Sequence, residues 1–298
     1  MRRMRRSSAL ASALLLVLLA AACAPGTDRE RAQAEAEALY RETVAQFLRQ
    51  TRYTFTGTTT LQRNQTLHDL ARVRFNGYVE GGDEILVRLS LTGDGGTVRH
   101  EEVLSLYQQG NRFYSRLADS RLWKAAPEKD RLIRNELAYW NPAELVRAID
   151  AMKLRVDVDP RRSTPDVRAL AVAVNQDELK SWLAERMRDL AAEGRRADAL
   201  VFSGAELLMR EEAVSRKEKE RNRQAMADRL ATLEASGAFT LFVDVHRRLP
   251  TKIEGRIQAH YREEGQTVRE STTLNVFVKD FGEAIDRPRD LPVKPLSR

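Results

Sequence analysis

The chain has 298 residues, with 50 Lys and Arg against 43 Asp and Glu, a formal charge of +7 at pH 7. Four of those positive charges lie in the first six residues, which leaves the remainder near +3; so mild an excess excludes a nucleic-acid footprint argued from charge. Cys23 is the only cysteine, which excludes an intrachain disulfide, and the four histidines, at 68, 100, 246 and 260, are far apart in sequence.

Arginines at 2, 3, 5 and 6 precede a 14-residue run, Ala9 to Ala22, made only of Ala, Leu, Val and one Ser. The run falls short of the roughly 20 apolar residues that a spanning helix needs. A basic start, a short apolar stretch and small residues before a cut read as a secretory signal peptide over residues 1–22. Ala20-Ala21-Ala22-Cys23 resembles the lipobox of bacterial lipoproteins, in which the cut falls before a lipid-modified cysteine. That resemblance makes Cys23 a lipid anchor, carrying a diacylglyceryl group and labelled by palmitate, and residues 23–28 its tether. Two acyl chains suffice for lasting attachment, whereas one holds only marginally. The expected address is the cell membrane, lipid-anchored and facing outside the cytoplasm. Ala24 in place of Asp permits the outer membrane in a two-membrane organism. Arg5-Arg6 is followed by no Phe-Leu, which favours the general secretory route over a twin-arginine one.

From Arg29 to Arg49 the composition is that of a helix, with Tyr40, Val44, Phe47 and Leu48 on one stripe. Strands follow. Tyr53 to Thr60 is aromatic and β-branched, and Val73, Phe75 and Val79 alternate with Arg72, Arg74 and Asn76. Ile85, Val87, Leu89 and Leu91 form the clearest period-two run, and Gly93-Asp94-Gly95-Gly96 reads as a hairpin turn. Val98–Gln108 and Arg112–Leu117 continue an antiparallel meander, split by Gln109-Gly110-Asn111. A helix is expected over Lys129–Trp140. Asn141-Pro142 starts another, with Leu145, Val146, Ile149 and Met152 inward. Strands at 154–158 and 167–174 flank a loop at 160–165. A helix from Asn175 to about Ala192 turns Leu179, Leu183 and Leu190 inward.

Glu206–Glu234 has apolar ends, but Ser215–Gln224 has no apolar residue. A continuous helix there would be about 43 Å long, with a solvated middle. Ser236-Gly237 is expected to end it. Strands then return: Phe239, Leu241, Val243 and Val245; Ile253, Gly255, Ile257, Ala259 and Tyr261; a turn at Glu263–Gln266; and Val268–Lys279. Phe281 and a Pro-containing tail close the chain.

This order, with Tyr107-Gln-Gln-Gly-Asn111-Arg-Phe113-Tyr114, Trp123, Leu241-Phe-Val-Asp244, Leu249-Pro250, Phe281 and Leu291-Pro292, resembles the LolA/LolB-like, LppX-like superfamily of lipoprotein carriers. The resemblance covers about residues 30–126 and 238–292. It implies an α+β fold: a curved antiparallel sheet, an incomplete β-barrel, with helices packed on its concave side, plus a charged helical insertion. The domain expected is residues 29–292 as a single LolA-like unit with the insertion at about 175–236, followed by a tail at 293–298. The resemblance also implies an apolar ligand, a lipid or acyl chain, in a pocket between sheet and helices. Phe55, Val87, Leu89, Leu106, Val243 and Ile257 are the candidate walls.

No nucleophile motif, His-Glu-x-x-His, phosphate loop or Gly-x-Gly-x-x-Gly occurs, so no catalytic residue, enzyme activity or cofactor is expected. Asp157 and Asp159 fall short of the roughly six to eight oxygens that calcium takes and read as turn carboxylates, with no metal. Glu101 and Glu102 point to opposite faces of a strand. Trp123 and Trp140 read as core aromatics. The partners expected are the membrane through lipidated Cys23, a lipid ligand, and no nucleic acid. A second reading is an envelope interaction or sensor module whose 206–234 helix contacts a partner protein.

Overall fold

The computed structural model describes residues 28–64, 70–92, 101–118, 120–126, 131–192 and 216–292. The signal run, Cys23, the Gly93–Gly96 turn, residues 193–215, which include the start of the charged segment, and the 293–298 tail lie outside these described residues. The chain begins with α1 (Asp28–Phe47), whose buried residues Ala36, Tyr40, Thr43, Val44 and Phe47 share one face at three- and four-residue spacings. Six strands follow: β1 (Arg52–Arg63), β2 (Leu70–Glu80), β3 (Glu84–Thr92), β4 (Glu101–Gln109), β5 (Arg112–Leu117) and the short β6 (Lys124–Ala125). Next come α2 (Arg131–Trp140), α3 (Pro142–Met152), β7 (Lys153–Val158), β8 (Val167–Val174), α4 (Gln176–Ala192) and α5 (Arg216–Thr232). β9 (Glu234–Asp244), β10 (Leu249–Glu263) and β11 (Gln266–Lys279) complete the sheet.

Among the described residues, eleven strands form one antiparallel sheet in the order β6-β5-β4-β3-β2-β1-β11-β10-β9-β8-β7. The first and last strands therefore meet at its centre, with Thr54 opposite Lys279 and Arg63 opposite Glu270. Among the described strands, β6 and β7 are the two edges and do not pair with each other, so the barrel is incomplete. Curvature has a visible cause on the buried face. Phe55 lies opposite Gly77, Phe75 opposite Gly57, and Phe239 opposite Gly255. A Cβ at Gly57 would come within 2.2 Å of the Phe75 ring, and one at Gly255 within 2.8 Å of Phe239. Strand glycines covered by aromatic rings let a sheet bend while its core stays filled.

The helices cover the concave face. α2 touches β3, β4 and β5, α3 touches β8, and α4 touches β9. α1 protects the β7 edge: the Glu37 carboxylate accepts from Val156 N at 3.0 Å and Lys153 Nζ at 2.8 Å. The expected helix starts are present. Asn141 Oδ1 accepts from Ala143 N at 3.0 Å, with Pro142 first in α3, and also from the Tyr53 hydroxyl at 2.8 Å. Asn175 Oδ1 accepts from Asp177 N at 2.9 Å.

One expected boundary is different. Ser236-Gly237 sits inside β9, and α5 ends at Thr232. Gly237 is small because α4 passes close above it: a Cβ there would meet Leu179 Cδ2 at 2.9 Å and Arg256 O at 3.1 Å. The apolar end expected of the charged segment is docked. Met226, Arg229 and Leu233 are buried, and Arg229 pairs with Glu263, which also pairs with Arg63.

The convex face carries a smaller cluster of Tyr78, Leu86 and Tyr107, joined by Tyr114, Trp123, Ile285 and Leu291. The segment after β11 straps over it. Trp123 Nε1 donates to Asp290 O at 2.6 Å, and Arg287 reaches Glu80 at 2.7 Å and Glu84 at 2.9 Å. The hydrogen bond from Arg116 holds the Asp290 carboxyl below the usual carboxylate range. Phe281 packs edge-on against Phe47, with centroids 6.1 Å apart.

Candidate functional site

Alternation along β1, β3, β4 and β9 sends Phe55, Val87, Leu89, Leu106 and Val243 to the concave face, where each is at most 1% exposed in the main core. Side chains buried to that degree fill space at interior density. Ile257, also of the expected set, borders a cavity.

An open cleft lies further along the concave face, among α2, α3 and α4. α2 contributes Asn135, Glu136, Ala138 and Tyr139; α3 contributes Glu144, Leu145, Arg147 and Ala148; α4 contributes Trp182, Glu185 and Arg186. Trp182, Glu185 and Arg186 stand three and four residues apart and so share a helix face. The cleft they line holds about 440 Å³, within the range of small-ligand sites.

Beside it runs a narrow seam of about 20 Å³ between helices and sheet, bordered by Phe75, Trp140, Phe239, Ile257, Leu274 and Val276 among others. Gly255 adds no side chain to this wall. Tyr139, Leu145 and Trp182 line both spaces. They form an apolar throat between the open cleft and the seam.

Charge is concentrated at the cleft's rim and one wall. Glu136 is 2% exposed, accepts from Trp140 Nε1 at 3.2 Å and pairs with Arg186 at 3.3 Å. Burial pushes its carboxyl above the usual range, against the opposing pull of Arg186. The Arg186 guanidinium lies 3.3 Å from the centroid of Tyr139, whose ring stacks on Trp182 at 6.4 Å and 22°. Burial pushes the Tyr139 phenol up to about 12. Arg147 pairs with Glu144 at the rim.

Sequence reasoning placed Leu145 on an inward face and Trp140 in the core, and both lie there. It did not single out Glu136, Tyr139, Trp182 or Arg186. Glu136 and Arg186 are 50 positions apart, and only the fold joins them. Asp157 pairs with Arg155 at 2.8 Å, and Asp159 Oδ1 accepts from Arg161 N at 3.0 Å. Among the described residues, no three His, Cys, Asp or Glu side chains gather where they could hold a metal ion, and no helix is long and apolar enough to cross a membrane.

No protein-family model matches the sequence, and no curated protein matches it. Among solved structures, the chain is similar to a LolA superfamily protein of Nitrosomonas europaea, at 10% identity and a TM-score of 0.28, covering 87% of this chain and 97% of that one. It is also similar to an outer membrane lipoprotein-sorting protein domain from Vibrio parahaemolyticus, at 10% identity and a TM-score of 0.27, covering 85% and 95%. A structure describing lipid–protein interactions in lipovitellin matches at 6% identity and a TM-score of 0.35, over 80% of this chain and 26% of that one. Superpositions this loose carry no functional argument. The fold stands on the chain's own strand order and helix placement.

Proposed function

We propose that this chain is a membrane-anchored lipoprotein of the cell exterior, tethered through Cys23, that binds or carries an apolar ligand, a lipid or acyl chain, between its sheet and helices. Residues 29–292 act as one unit in this reading, held outside the cytoplasm. The observation that carries it is the throat of Tyr139, Leu145 and Trp182, which joins the 440 Å³ cleft to the apolar seam beside it. A seam of about 20 Å³ has room for about one water. A ligand tail therefore enters only as α2–α4 shift from the sheet, and a bound chain favours that opened state. Among the described lining residues of the cleft there is no Ser, Thr, Cys, His or Lys, which supports a carrier over an enzyme.

Native mass spectrometry of the purified chain tests the reading, with co-purified lipid as the expected result. Repeatedly ligand-free protein that takes up no fluorescent fatty acid removes it. Palmitate labelling of the wild type but not of Cys23→Ala tests the anchor separately.

One observation favours a second reading, a non-enzymatic interaction or sensor module. α5 is rooted by Met226 and Arg229, while Arg221, Arg223 and Gln224 stay exposed. Deleting 215–224 then abolishes cross-linking to an envelope partner without changing the melting temperature. An unchanged cross-linking pattern removes this reading.

A further inference from the structure

The cleft's charges do not cancel. Glu144 is paired with Arg147 and Glu136 with Arg186. The third carboxylate, Glu185, is exposed and has no ion-pair partner among the described residues. Glu185 stands one helical turn after Trp182 on α4, and both line the same cleft. The aromatic rings here already attend a cation, since Arg186 sits over Tyr139 and Tyr139 stacks on Trp182. An indole is the strongest of the aromatic partners for a cation, and a carboxylate beside it adds a direct charge. Trp182 also reaches the seam, so a group held at its ring stands at the head of the apolar path. An anionic head would meet a lining whose two guanidinium groups are already paired and whose remaining charge is the Glu185 carboxylate, and a neutral one would leave Glu185 uncompensated.

We infer that the ligand of this cleft is an amphiphile with a cationic head, a primary or quaternary ammonium, seated between the Trp182 indole and the Glu185 carboxylate, its tail directed to the throat. This assignment rests on the apolar-ligand reading above and adds the head group to it.

The test uses three probes with the same decyl tail and different heads: trimethylammonium, glucoside and sulfate. Each is titrated below its micelle concentration into the full chain held in amphipol. The ammonium probe is expected to bind about tenfold more tightly than the glucoside, with the sulfate weakest. Glu185→Gln should reduce the ammonium preference to within about threefold, whereas Glu178→Gln, an exposed charge on α4 outside the cleft, should leave it intact. Equal affinities, a preference for sulfate, or a preference that survives Glu185→Gln overturns the head-group assignment while leaving the apolar reading in place. Failure of all three probes to bind removes both.

Discussion

Under β1, β3 and β4 the concave face carries the sheet's own side chains: Phe55, Val87, Leu89 and Leu106 are each at most 1% exposed in the main core. Under β9–β11 the sheet presents Gly255, Thr272 and Leu274, and the covering surfaces of α2–α4 are flat aromatics and paired charges. The first region buries branched and aromatic side chains that interdigitate to interior density. In the second, the helices leave an open cleft among themselves and only a narrow seam against the sheet. The same alternating pattern thus yields a packed core at one end and a ligand-sized space at the other, according to which side chains the helices bring.

The sharpest way to break this comparison is truncation at the packed end. Phe55→Ala should cost about 3–5 kcal/mol of stability in urea denaturation, with ligand affinity unchanged at temperatures where the variant stays folded. Truncation at the throat should behave oppositely. Leu145→Ala, partly buried, is expected to cost less than about 2 kcal/mol and to weaken binding. Equal stability losses at the two sites would mean that the space is packed as tightly as the core.

Next in size is the root of α5. Arg229→Ala leaves Glu263 facing a partly dehydrated site with one cation fewer, and about 3 kcal/mol is expected to be lost. Hydrogen exchange should show α5 opening while the sheet stays protected.

A smaller effect concerns pH. Because burial raises Glu136, the folded protein keeps that proton to a higher pH than the unfolded chain does. The group's contribution to stability is therefore fully present below the unfolded value, near 4.5, and is lost as pH rises through the folded one. As pH falls, the carboxyl neutralises and Arg186 loses its ion pair across the cleft. Trp140, bonded to Glu136, should report this as a fluorescence step with a midpoint above 4.5 that is absent in Glu136→Gln.

The smallest effect lies on the convex face. Lys252 stands between Phe242 and Phe277, 5.3 and 5.0 Å from their centroids. Lys252→Met should lower stability by about 0.5–1 kcal/mol and leave ligand affinity untouched.

Much of the scaffold was legible. The period-two run Ile85–Leu91, the Asn141-Pro142 and Asn175 helix starts and the closing Phe281 all follow from local chemistry, and the structure contains each of them. Ser236-Gly237 misled because a glycine needed for close approach to α4 looks identical in sequence to one that ends a helix. The cleft was hidden for a different reason. Alternation tells which residues face inward, as it did for Phe55 and Leu89, but not whether what they face is full. That depends on where Tyr139 on α2 and Trp182 and Arg186 on α4 are carried by two separate helices.

A fluorescent fatty acid titrated into the wild type and into Leu145→Arg, with folding of both checked by circular dichroism, puts the central claim to its most direct test. Saturable uptake by the wild type that disappears in Leu145→Arg is the outcome the throat requires. No uptake by the wild type, or undiminished uptake by the folded variant, would contradict it.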